Sequence, residues 1–134
     1  MDPSSEQIAP IAQKHGIILL LRFGSSVTGM LHARSDVDLA VLLERVPCSL
    51  QAHGELLQDL QQLFPHRDVD LALLNRADPL FLRKITEACH LLHGSPGALQ
   101  RLKIYAFKRY QDHRKYLELE RQYVERALED LAVR

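Results

Sequence analysis

Apolar residues fall along this chain in two rhythms, and the switching between them lays out an α/β order. Ile8, Ile11 and Ala12 share a helical face between Ser4 and His15. Ser4 and Gln7 have the spacing of a capping box, and Gly16 ends the segment. Ile17 to Leu21 is an uninterrupted apolar run with a β-branched start, which predicts a buried strand over 17–23. A loop and a short helix to about His32 follow. A second strand is predicted from Asp36 to Leu43. With a side-chain period of two, Asp36, Asp38, Ala40 and Leu42 share one face, and Val37, Leu39, Val41 and Leu43 the other. The acids thus stand at the strand's start, and both faces of its end are apolar.

Beyond a break at Pro47, Ser49 to Phe64 reads as an amphipathic helix with Leu50, Leu56, Leu57, Leu60 and Phe64 toward the core, closed by Pro65. Arg67 to Leu74 is a third strand and repeats the acid-x-acid arrangement with Asp68 and Asp70. Asp78-Pro79 is an N-cap followed by proline at the first helical position, opening a helix to about Cys89 with Leu82, Ile85 and Cys89 inward. His90 to His93 is a short edge strand. Gly94-Ser95-Pro96-Gly97 is the clearest internal boundary, dividing a core, 1–94, from a C-terminal helical segment, 95–134, within one domain. From Leu99 onward the pattern is helical without Pro or Gly; some 35 such residues span about 50 Å. Tyr110, Leu117, Val124 and Leu131 recur every seven residues, while the companion seam of Ala106, His113, Glu120 and Ala127 is mixed. Two readings of this helix stay open: it bends and packs back on its own sheet, or it docks a partner.

With 134 residues the chain suits a single core, and its composition is that of an ordinary globular protein. Net charge is zero with histidine neutral, so no global field draws in nucleic acid. The charge is uneven: residues 1–94 hold 8 Lys/Arg against 11 Asp/Glu, and residues 95–134 hold 9 against 6. Two cysteines, Cys48 and Cys89, make neither a disulfide framework nor a metal motif. The start, with Asp2 and Glu6, has no signal-peptide character, and no apolar run reaches membrane-spanning length, so a cytoplasmic protein is expected.

The chemistry concentrates between Phe23 and Leu43. Asp36 and Asp38 point to one side of a strand, where their like charges repel unless a cation sits beside them. A hard divalent cation with oxygen ligands, Mg2+, is the natural partner. Gly24-Ser25, directly after the first strand, allows close backbone approach, and a helix N-terminus there offers free N–H groups to an anion. A metal-holding acid pair beside an anion cradle is equipment for a nucleoside triphosphate. Asp70 precedes the apolar run LALL as Asp38 precedes LAVLL, which makes it the candidate third acid, with Asp68 its competitor on the same face. Ser25 is equally explained as a helix N-cap. Arg22 and Arg34 lie near the motif, within reach of phosphates, but read more readily as solvated surface residues, and His90 and His93 fall on opposite strand faces. The aromatics Tyr105, Phe107, Tyr110, Tyr116 and Tyr123 suit core or interface. There is no Walker-type loop, nucleophile elbow or zinc-finger spacing.

The pattern G-S-x10-D-x-D, running from Gly24-Ser25 to Asp36 and Asp38, resembles the nucleotidyltransferase superfamily that includes DNA polymerase beta. The short chain resembles its minimal nucleotidyltransferase (MNT) branch, over roughly the first two thirds of its length. Many family members carry Arg and Ala after the Gly-Ser pair; here Ser26 and Val27 stand in their place. The resemblance implies a small mixed β-sheet flanked by helices with a long C-terminal helix. It also implies ATP as substrate, Mg2+ as cofactor, catalytic and metal-binding roles for Asp36, Asp38 and Asp70, and nucleotide binding at Gly24 and Ser25. In the MNT branch the usual acceptor is a paired HEPN-type ribonuclease toxin, silenced by adenylylation (AMPylation) of a tyrosine. Such a partner is expected because the chain has no room for a separate substrate domain. Transfer to a small molecule or RNA, and a catalytically idle antitoxin acting by binding alone, remain as alternatives.

Overall fold

The two apolar runs form the centre of a four-stranded sheet. In a computed structural model, which describes residues 2–24 and 36–133, β1 (Ile17–Phe23) pairs antiparallel with β2 (Val37–Leu43). A third strand, β3 (Val69–Leu73), adds parallel to β2, and β4 (Cys89–His93) adds antiparallel to β1, giving the order β3-β2-β1-β4. The central position of β1 and β2 accounts for their near-continuous hydrophobicity, since both faces are covered.

Helices α1 (Ser5–His15) and α2 (Leu50–Gln62) cover one face; α3 (Pro79–Glu87) and α4 (Pro96–Val133) cover the other. Val37, Leu39, Val41 and Leu43 join Ile8, Ala12, Leu56 and Leu60 in the first core layer. Ala40 joins Leu19, Leu21, Phe23, Leu82, Ile85, Leu102 and Ala106 in the second. A register shift between Ile17 and Leu19 lets these two residues enter opposite layers and leaves Ile18 at the surface.

Helix signals place the ends well. Ser4 and Gln7 form the expected capping box, and Gly16 ends α1 in the left-handed region. Ser49 caps α2, and the Asp78 carboxylate accepts from the Phe81 N–H at 2.8 Å. Some expectations are corrected. Leu50 is 88% exposed, because it occupies the first turn of α2, ahead of the turns that reach the sheet. Helix α3 stops at Glu87, and Cys89 belongs to β4. Strand β3 starts at Val69, so Asp68 lies outside it, and Leu74 begins a 3-10 turn, Leu74–Arg76. Arg22 is not solvated: its side chain is only 20% exposed and pairs with Asp2, which also lies 3.3 Å from His90.

The long final helix is continuous: it packs on the sheet as far as Ala106 and then runs on beyond it. Its last buried residue is Ala106; Tyr116, Leu117, Leu119, Tyr123, Val124, Leu128 and Leu131 are exposed. At 1.5 Å per residue, 38 residues make a rod of about 57 Å. None of the helices among the described residues is long and apolar enough to cross a membrane.

Candidate active site

The sheet brings two of the predicted acids together. Asp38 and Asp70 are register partners in the parallel pair β2/β3, so their side chains leave the same face of adjacent strands. Both line an open cavity of about 800 Å³, together with Phe23, Gly24, Leu71, Ala72, Phe81, Lys84, Glu87 and Ala88. The cavity sits where β1 ends and β2 begins, walled on its far side by α3.

Each wall has a local cause. The edge of Phe81 packs against Phe23, with ring centroids 5.9 Å apart and planes at 74°, which sets α3 against the end of β1. Gly24 follows with φ +79°, a conformation that favours glycine. A Cβ there would collide with the Asp38 carboxylate, so any larger residue would have to displace the acid as well as strain the backbone. Asp38 is half-buried, and its pKa is raised above the ordinary carboxylate range. Burial is the main cause, followed by the charges of Asp70 and Asp36; Lys84 opposes them.

The other predicted residues are distributed as follows. Asp36 is exposed, immediately before β2, and acts on Asp38 through its field. Asp68 is exposed and absent from the cavity wall; its backbone carbonyl accepts from the Val37 N–H at 2.8 Å. Ser25, Ser26, Val27, Arg34 and the short helix expected to about His32 lie outside the described residues. Among the described residues, no three His, Cys, Asp or Glu side chains are grouped closely enough to hold a metal ion. Cys48 and Cys89 are unpaired thiols.

Residues 6–95 match the polymerase beta nucleotidyltransferase family. The chain belongs to that family. No curated protein matches it. Among solved structures, a toxin-antitoxin crystallised with AMP-PNP contains a similar chain, with 26% identity and a TM-score of 0.70, covering 92% of this chain and 96% of that one. A tri-AMPylated HEPN toxin of Shewanella oneidensis in complex with its MNT antitoxin contains another, with 23% identity and a TM-score of 0.64, covering 92% and 93%. Spectinomycin adenyltransferase of Enterococcus faecialis, solved with ATP and spectinomycin, is similar at 18% identity and a TM-score of 0.54, over 74% of this chain and 59% of that one. The last two, at such identities, speak for the fold alone.

In this nucleotidyltransferase-family chain, three features of the cavity and of the strands behind it were not read from the sequence. Lys84 and Glu87 reach it because they follow Phe81 at helical spacing on the same face of α3. Gln61 orders the approach to β3: its side chain donates to the Phe64 carbonyl at 3.0 Å and accepts from the Val69 N–H at 3.0 Å, one residue before Asp70. Asn75 exchanges two hydrogen bonds with the backbone of Leu43, of 2.9 and 2.8 Å, fixing β2 against the turn after β3. An amphipathic pattern shows which helix faces are apolar; it does not show which polar residue of that helix overhangs a neighbouring sheet.

Proposed function

We propose that this chain is a Mg-ATP-dependent nucleotidyltransferase that acts as an antitoxin, transferring AMP to a tyrosine of a HEPN-type ribonuclease toxin. The observation that carries the reading is the in-register pair Asp38 and Asp70 opening onto a cavity bordered by Gly24, in a chain similar over 92% of its length to one crystallised in a toxin-antitoxin with AMP-PNP.

Mg2+ fits this donor set. The pair offers hard oxygen ligands; the pKa of Asp38 is raised first by burial and then by the charges of Asp70 and Asp36, and a cation would relieve that repulsion. Asp38 and Asp70 would hold the metal as they stand, and Asp36, exposed just before β2, would turn in to complete the set. When bound, it neutralises the triphosphate and orients it for in-line attack. Gly24 brings backbone close to the phosphates, with Ser25 next to it. The tyrosine oxygen attacks the α-phosphorus of ATP, the bond from that phosphorus to the α,β-bridging oxygen breaks, and pyrophosphate leaves with that oxygen. The phenolic proton passes to a carboxylate of the site, and Asp70 is the candidate acceptor. The product is a phosphodiester on tyrosine.

The toxin would dock on the exposed part of α4, where Leu117, Val124 and Leu131 line one side of a helix that leaves the core. The second reading of this nucleotidyltransferase-family chain is transfer to a small-molecule acceptor. Incubating the chain with candidate acceptors and ATP labelled at either the α- or the γ-phosphate tests both. Label on a protein acceptor from α-labelled ATP only is the expected result. Label on a small molecule alone supports the second reading.

A further inference from the structure

The described wall of the cavity carries three carboxylates, Asp38, Asp70 and Glu87, and one cationic side chain, Lys84. A nucleoside triphosphate would add several negative charges to that wall. We propose that Lys84 is the phosphate-binding cation of this site, meeting the triphosphate from the α3 side while the carboxylates face the divalent cation. The inference rests on the nucleotidyltransferase reading above and assigns the opposite wall of the same cavity.

Three observations carry it. Lys84 stands one helical turn after Phe81, whose ring is fixed against Phe23, so its stem rises beside the end of β1 and Gly24. The next cation on the helix is already committed: the Arg83 Nε donates to Glu87 at 2.7 Å, and its guanidinium lies 3.9 Å over the Tyr110 ring. Lys84, by contrast, is exposed and makes no hydrogen bond or ion pair among the described residues, although it shares a cavity wall with Asp38, Asp70 and Glu87.

An ammonium on a flexible four-carbon stem suits this task. It is a compact charge with three donors, able to follow phosphate oxygens without the fixed fork of an arginine. Helix α3 is held on both sides, by Phe23 through Phe81 and by α4 through Arg83 and Tyr110, so the stem starts from a rigid base.

The test is calorimetric titration of the full chain with AMP-PNP in the presence of Mg2+, comparing wild type with Lys84→Met, Lys84→Gln and Lys84→Arg. Titration with Mn2+ alone is the companion measurement. Loss of a charge-assisted contact predicts affinity for AMP-PNP about 10- to 100-fold weaker in Lys84→Met and Lys84→Gln, largely recovered in Lys84→Arg. Affinity for Mn2+ alone should hold or tighten, because a positive charge has been removed from beside the acids. Wild-type affinity for AMP-PNP in both neutral variants overturns the assignment and leaves the nucleotide site standing. A wild-type chain that does not bind AMP-PNP with Mg2+ overturns the nucleotide reading and this inference with it.

Discussion

Asp38 of β2 and Asp70 of β3 stand side by side as register partners in a parallel ladder, one strand spacing apart. Strands in a sheet lie about 4.8 Å apart, so the ladder holds two like charges on neighbouring strands, where they repel. A sheet optimised for stability alone would place apolar or oppositely charged residues at these positions.

The first prediction follows from that cost. The pKa of Asp38 lies above its ordinary value of 3.8, so the folded chain holds this proton more tightly than the unfolded chain. Between the two values stability falls as pH rises, and at neutral pH the ionised group is a net expense. Asp38→Asn should therefore melt about 2–4 °C higher than wild type at pH 7. The difference should vanish below the ordinary carboxylate pKa, where both chains are neutral at this site. Nucleotidyl transfer should be lost. Melting curves at the two pH values check the first part, and a lower Tm at pH 7 would contradict it.

The second prediction separates the two acids before the LALL run. Asp70 opens onto the cavity, whereas Asp68 is outside β3 and contributes its backbone carbonyl to Val37. A side-chain change at position 68 leaves that carbonyl in place. Asp70→Asn should slow pyrophosphate release at least about 100-fold, while Asp68→Asn should stay within about twofold of wild type. Equal losses, or a loss only at Asp68, would put the third acid at the wrong position.

Much of this arrangement was legible in the sequence, for local reasons. Apolar runs mark β1 and β2 because those strands are central, and Ser4, Gly16, Ser49 and Asp78 mark helix ends because unpaired backbone groups there need partners. Two features were not legible. The place of Asp70 directly before LALL favoured it over Asp68, but nothing local in RDVDLALL shows which acid meets Asp38; the backbone link from Val37 to Asp68 and the ladder above it set that. The placement of Lys84 depends on how α3 lies across the sheet, which the Phe23–Phe81 contact decides across more than fifty residues of chain. Arg22 misled for a related reason. A charged residue reads as solvated until a distant carboxylate, here Asp2, is folded over it.

The third prediction concerns the other end of the sheet and is independent of catalysis. Asp59 of α2 accepts from His15 at 2.6 Å and from Lys14 at 3.0 Å, and these bonds lower its pKa below the ordinary 3.8. An acid with a depressed folded pKa contributes stability above its unfolded value and loses it as pH falls through the folded value. Asp59→Asn should lower Tm by about 2–4 °C at pH 7, with the gap closing as pH falls through and below 3.8. A gap of constant size down to the lowest pH would mean that the carboxylate charge is not the source.

The fourth prediction addresses docking. Leu117 and Val124 are exposed on the part of α4 beyond the last core contact at Ala106. Replacing both with Asp should leave the Tm and the binding of AMP-PNP unchanged. Affinity for the toxin, measured by titration, should fall at least about tenfold. A loss of stability instead would mean that this face packs on the chain's own core.

The most direct test of the central proposal is the intact mass of the toxin after co-expression with this chain or with its Asp36→Ala/Asp38→Ala variant. A toxin carrying one or more AMP groups on tyrosine with the wild type, and none with the variant, is the predicted result. An unmodified toxin silenced equally by both would contradict it and would assign the inhibition to contact alone.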